Sequence, residues 1–179
     1  MLVPIEQLAN QVVFSLQTGA ELAKISLPII DPRKLTIAAF YVNGSNLTHQ
    51  MSVLHPSDIR EINDLGIIVD DESKLMGMDG LTRLNEIIGF KFNIIGMKVV
   101  DTSGRKLGKI SDYSIEQENF SIQQLTTEQS ILRSFSTAGN LIRRNQIVAI
   151  DAKQITVDIP SVRSAVTDAA NSIATNPFK

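Results

Sequence analysis

Apolar residues in this chain come in short runs, and most of the runs stop at turn-forming residues. Val12-Val13-Phe14 and Met97-Lys98-Val99-Val100 are each followed within a few residues by a glycine, Gly19 and Gly104. The chain then resumes with Leu22-Ala23-Lys24-Ile25 and Leu107-Gly108-Lys109-Ile110. Glycine adopts the positive φ that a tight hairpin demands, so each of these pairs of runs predicts two antiparallel strands about a turn. The polar stretch Glu116-Gln117-Glu118-Asn119 predicts a further turn, and Asp31-Pro32-Arg33-Lys34 its counterpart in the first half. After it, Phe120-Ser121-Ile122-Gln123-Gln124-Leu125 alternates as a half-buried strand does. Residues 36–42, by contrast, are apolar on both faces. Such a strand needs cover on each side, either from a segment packed on the first half or from contact between the halves. Short strands at 58–62, 66–70, 147–150 and 154–159 complete the pattern, which is that of a small barrel or sandwich.

These runs recur. At a shift of 85 positions Gly19, Leu22, Lys24 and Ile25 meet Gly104, Leu107, Lys109 and Ile110. At the same shift Ile30, Leu35, Ile37 and Phe40 meet Ile115, Phe120, Ile122 and Leu125. Towards the end of each copy the shift becomes 88, with Ile59, Ile62, Ile67 and Val69 opposite Ile147, Ile150, Ile155 and Val157. Three residues inserted in the intervening loop explain the change, because loops absorb insertions whereas a slip within a strand turns its core face outward. The chain therefore reads as a tandem duplication.

Between the copies, the charged stretch Asp70-Asp71-Glu72-Ser73-Lys74 is followed by Leu81, Leu84, Ile87 and Ile88 at helical spacing, which predicts a short amphipathic linker helix. A C-terminal helix is compatible with residues 161–174, with Ser161 as its cap, Val162, Ala165, Val166, Ala169 and Ile173 on one face, and Pro177 beyond its end.

The run from Gly96 to Asp112, GMKVVDTSGRKLGKISD, resembles the opening of a PRC-barrel domain, and the segment from Leu141 to Ile150, LIRRNQIVAI, is similar to that family's closing segment. In the first copy Ala23 stands at the place of Gly108, Ser26-Leu27 replaces Ser111-Asp112, and Leu16 takes the place of Asp101. The resemblance implies a small β-barrel used as an assembly module, as in the photosynthetic reaction centre H subunit and a ribosome maturation factor that engages a ribosomal protein. It implies no common catalytic residues. The expected fold is therefore mainly β, with two tandem PRC-type barrels over 1–79 and 93–159, a linker helix over 80–92 and a C-terminal helix or tail over 160–179.

Composition narrows the function. Hydrophobic residues at 43% and charged residues at 20% suffice for packed cores, while aromatic residues at 5% with no Trp leave burial mainly to Ile, Leu and Val. The chain has no cysteine, which removes disulfides, thiolate metal sites and a Cys nucleophile and fits a reducing compartment. With no leader-like start and no spanning apolar run, the expected location is the cytoplasm, without membrane insertion. Three Asn-x-Ser/Thr matches, at Asn43, Asn46 and Asn119, then carry no meaning.

The net charge of −2 is unevenly divided. Residues 1–79 hold 5 basic against 10 acidic side chains, and residues 80–179 hold 12 against 9. Arg105, Lys106 and Lys109 on one hairpin, with Arg143 and Arg144 on the closing segment, are a candidate patch for phosphates, as in an RNA-metabolism or ribosome-associated factor.

Catalytic chemistry finds no footing. His49 and His55, with Asp58 nearby, lack the tight constellation of a metal site. The run Gly104-Arg105-Lys106-Leu107-Gly108-Lys109-Ile110-Ser111 fails the phosphate-loop spacing and leads into a strand rather than a helix N-terminus. No Ser sits in a nucleophile elbow. The expectation is a binding or assembly module rather than an enzyme, without a cofactor. Its partner is a protein that the sequence does not identify, with a ribosomal protein or RNA as the alternative and a homodimer through barrel edges permitted. The candidate contact face is Ile37, Ala39 and Tyr41, on the strand that is apolar on both sides.

Overall fold

The computed structural model describes residues 1–45, 47, 51–128 and 141–159. His49 and the segment 160–179, where a C-terminal helix was expected, lie outside the described residues.

The strands follow the apolar runs. They are β1 (Leu2–Pro4), β2 (Val12–Ser15), β3 (Glu21–Asp31), β4 (Thr36–Asn43), β5 (Ser52–Leu54), β6 (Ile59–Asn63), β7 (Gly66–Val69) and β8 (Leu75–Gly77) in the first half. In the second half they are β9 (Lys98–Asp101), β10 (Lys106–Glu116), β11 (Ile122–Glu128), β12 (Leu141–Arg143), β13 (Ile147–Ile150) and β14 (Gln154–Val157). One turn of helix, α1 (Ile5–Leu8), follows β1, and α2 (Thr82–Gly89) lies between the halves, within the predicted linker.

The strands form two mixed sheets with one wiring. The first runs β6-β7-β2-β3-β4-β5, with β8 added beside β5, and the second runs β13-β14-β9-β10-β11-β12. In each, the two long central strands pair antiparallel, and the strand before them pairs parallel with the one next to the sheet edge, β2 with β7 and β9 with β14. Neither sheet closes by hydrogen bonding. Among the described residues no ladder joins β5 or β8 to β6, or β12 to β13. The expected closed barrels are, in their pairing, open and curled sheets. The chain passes from β5 to β6 through a 3-10 turn at Pro56–Asp58, and the five Cα steps from Leu54 to Ile59 span roughly 18 Å at most, which draws the two sheet edges together. Proline has no N–H with which to extend the ladder across that corner.

The N-terminus departs from the expected division of the chain. β1 belongs to the second sheet, where Leu2, Val3 and Pro4 pair with Glu116, Ile115 and Ser114 of β10. Val3 is buried in the core, and the N-terminal ammonium sits on the Glu116 carboxylate. Conversely α2, which precedes the second sheet, packs on β3 and β4 of the first. Its Ile87 is buried with Ile29, Ala39 and Val53, and Leu81, Leu84 and Ile88 lie on the same cluster, as their spacing predicted. Each half thus lends its leading segment to the other.

One continuous hydrophobic core runs through both sheets, from Val13, Phe40 and Ile67 in the first to Val99, Leu125 and Ile155 in the second. Tyr113 is fully buried in it, and among the described residues nothing hydrogen-bonds its hydroxyl. Burial, with the nearby Asp112 carboxylate, pushes its phenol well above the usual range. An unsatisfied buried hydroxyl costs about 1 kcal/mol or more, so Tyr113→Phe is expected to stabilise the protein by roughly that amount, seen as a raised urea midpoint with unchanged slope.

Candidate functional site

The halves meet at the tips of their long hairpins. Between β3 and β4 the turn places Leu35 at φ 50, and between β10 and β11 the turn places Phe120 at φ 54. Both conformations are uncommon for residues with a Cβ. Each is held by the same contact, Leu35 N–H to Asp31 O at 2.8 Å and Phe120 N–H to Glu116 O at 2.8 Å. Asp31 is buried, which on its own would raise its pKa. The side chain and backbone N–H groups of Arg33 outweigh that and hold the carboxyl below its usual range.

The two tips then bond to each other reciprocally. Ile37 N–H donates to Phe120 O and Ile122 N–H donates to Leu35 O, both at 2.9 Å, about the bridge between Thr36 and Ser121. Phe120 reaches across to Phe40 edge-on, with ring centres 6.0 Å apart. Phe120 was expected to open a strand, yet it occupies the turn, and β11 starts two residues later.

This junction explains why residues 36–42 are apolar on both faces. Phe40 and Val42 point into the shared core, while Ala39 lies under α2. Ile37 is 4% exposed and Ala39 0%, so neither offers a free surface, and Tyr41 is half-buried beside α2. What remains open is a groove of about 840 Å³ next to them. Its apolar wall comes from Ala38, Val53, Met76, Leu81, Leu84 and Phe120, contributed by the first sheet, α2 and the second hairpin tip. Its rim carries Asp31, Lys34, His55, Arg83 and Glu118. His55 caps the turn at Pro56–Asp58 by accepting the Ser57 N–H at Nδ1. Among the described residues no three His, Asp or Glu side chains come together as a metal ion would require. None of their helices is long and apolar enough to cross a membrane.

The five cations proposed as a phosphate patch do not converge. Arg105 is held by Asp101 at 2.9 Å, and Asp101 also accepts from Ser103 and from the Arg105 backbone. The Ser103 side chain leads those contacts, and the carboxyl is held at about 2. Lys106 and Lys109 are exposed near the start of β10. Lys109 pairs with Glu128, whereas Arg143 pairs with Gln124 opposite Ser114. Five residues along β10 and two strand spacings separate Lys109 from Arg143, on the order of 20 Å. That exceeds the screening length of roughly 8–10 Å in physiological salt.

Arg144 is committed elsewhere. Its Nη2 donates to Lys34 O at 2.6 Å, and its Nη1 to Leu35 O at 3.0 Å and Ile122 O at 2.9 Å, so it clamps one hairpin tip to the other half. Arg144→Met keeps the stem and removes all three contacts. It is expected to lower unfolding stability by about 2 kcal/mol in urea titration, given the loss of three hydrogen bonds from one charged donor. Arg144→Lys should recover little of it, because an ammonium lacks the planar fork. Sequence reasoning missed both the groove and this clamp. The available signal was the apolar residue at each turn tip, Leu35 and Phe120.

No curated protein matches the chain. The family model of the PRC-barrel domain matches residues 90–163, which begin just after α2 and take in the six consecutive strands β9 to β14 and the Asp101 turn. Over those residues the chain carries a PRC-barrel domain.

Proposed function

We propose that the chain is a non-catalytic assembly module built from two copies of the PRC unit, and that the groove at their junction receives a segment of a partner protein. PRC-barrel domains are interaction modules, and that class is what the second half brings. The shared strand order and the reciprocal contacts between Leu35, Ile37, Phe120 and Ile122 support the two-copy reading of the whole chain. The observation that carries the functional reading is the open groove itself, apolar in its wall and polar at its rim, as partner sites commonly are.

Ala38→Gln tests it, because position 38 lines the groove and its counterpart in the second copy is Gln123. The glutamine is expected to fill the site without disturbing the fold. Affinity purification of the tagged full chain from its native cells should lose its salt-resistant protein partners in this variant while the melting temperature holds. Partners retained at equal yield, or RNA alone in the eluate that salt removes, would overturn the groove reading.

A further inference from the structure

The groove has a twin in the second half. The hollow beside β11 and β12 is lined by Leu2, Glu116, Gln123, Gln124, Arg143 and Arg144, with a volume of about 660 Å³. At the repeat shifts of 85 and 88, these residues correspond to Ile87, Asp31, Ala38, Ala39, His55 and Pro56, and every one of those lines the groove. The two sites are therefore the same place in the two halves, differently furnished. In the twin, the Arg144 guanidinium bonds the carbonyls of Lys34, Leu35 and Ile122. The corresponding oxygens at the groove are those of Asn119, Phe120 and Ile37. Where Arg144 should stand there is Pro56, which donates nothing. Among the described residues no side chain donates to those three oxygens. Phe120 O already accepts from Ile37 N–H, but Leu35 O accepts from Ile122 N–H in the same way and still takes the guanidinium.

We propose that the partner segment places an arginine in the groove, with its guanidinium on the Ile37, Asn119 and Phe120 carbonyls where the first half lacks the counterpart of Arg144. Ala38, standing where the second half has Gln123, leaves apolar room for the arginine's methylene stem. Three carbonyls suit a planar fork of N–H donors better than the point charge of an ammonium. Glu118 on the rim favours a cation, while Lys34 and Arg83 on the same rim oppose it. Arg83 is exposed on α2 and is the chain's own competitor for the place.

This inference rests on the groove being a partner site, and the test separates the two. The full ¹⁵N-labelled chain is titrated with the peptide N-acetyl-Leu-Arg-Leu-amide and with its citrulline and lysine versions. The arginine peptide is expected to shift the amides of Ile37, Ala39 and Phe120 saturably. Citrulline, which keeps the shape without the charge, should bind about tenfold or more weakly, as expected for losing charge-assisted bonds. Pro56→Arg, which restores what Arg144 provides in the other half, should abolish arginine-peptide binding. Equal binding of the arginine and citrulline peptides would overturn the arginine while leaving the groove as a site. Binding unaffected by Pro56→Arg would overturn it as well. Peptide binding seen only in Arg83→Gln would make Arg83 the occupant and overturn a partner's arginine.

Discussion

Phe120→Ala is expected to destabilise the whole protein by about 3 kcal/mol, towards the lower end of the range for deleting a buried aromatic ring. The ring is 7% exposed, packs edge-on against Phe40 and fills the junction between the sheets. It also flanks the groove, so solvent can enter part of the space left behind, which moderates the cost. For a chain of this length the loss corresponds to a fall of roughly 6–12 °C in melting temperature. The informative readout is amide hydrogen exchange at Ile37 and Ile122, whose N–H groups donate across the junction to Phe120 and Leu35. One core running through both sheets predicts that these amides lose protection together with core amides such as those of Val13 and Ile155. If Ile37 and Ile122 alone lose protection, with the sheets intact, the halves are separately stable and the junction is a weak contact.

The periodic apolar runs made much of this architecture legible. The apolar runs and their turns placed the long hairpins and the short strands beside them, and helical spacing placed α2, because each is specified by local alternation and turn chemistry. Pieces of three residues escaped notice. β1, β5 and β8 are too short to show a period, and β1 joins the other half's sheet for reasons that lie in Glu116, Ile115 and Ser114 rather than in its own sequence.

The candidate site was harder to read, again for physical reasons. Ile37, Ala39 and Tyr41 were marked by an apolar excess that does exist, but it covers a junction and the footprint of α2. The open neighbour is Ala38, whose small side chain gives no signal in sequence. Arg143 and Arg144 are adjacent in the chain, yet one is exposed on a strand while the other turns onto three carbonyls. Those carbonyls converge only because Leu35 takes a left-handed turn conformation that its side chain does not favour. A count of basic residues cannot distinguish a solvated cation from one already used as a clamp.

Gly108→Ala should cost about as much as the loss of Phe120, for a reason confined to one atom. Gly108 sits at φ +129, where side chains are strained, and a Cβ there would lie 2.2 Å from the Glu128 carbonyl oxygen. Strain of this kind is typically about 1–3 kcal/mol, and the clash with a backbone atom adds to it, since β10 and β11 must part to relieve it. A loss of about 3 kcal/mol or more is expected in urea titration, with the cross-strand pairing of Lys109 with Glu128 broken in NMR. The first half bears a side chain at the same place, Ala23, and this is consistent because the close approach has moved to the facing strand's end. There Gly44 lies so near β3 that a Cβ would meet Leu22 O at 2.6 Å. Each hairpin therefore keeps one glycine where its two long strands crowd, on opposite strands in the two halves. Gly44→Ala should also destabilise, through the clash alone, whereas Ala23→Gly should lose only the small cost of added chain freedom and a buried methyl, about 1–2 kcal/mol. A tolerated Gly108→Ala would mean that β10 and β11 can separate freely at Glu128, and the close pairing that sets the register of the second sheet would have to lie elsewhere.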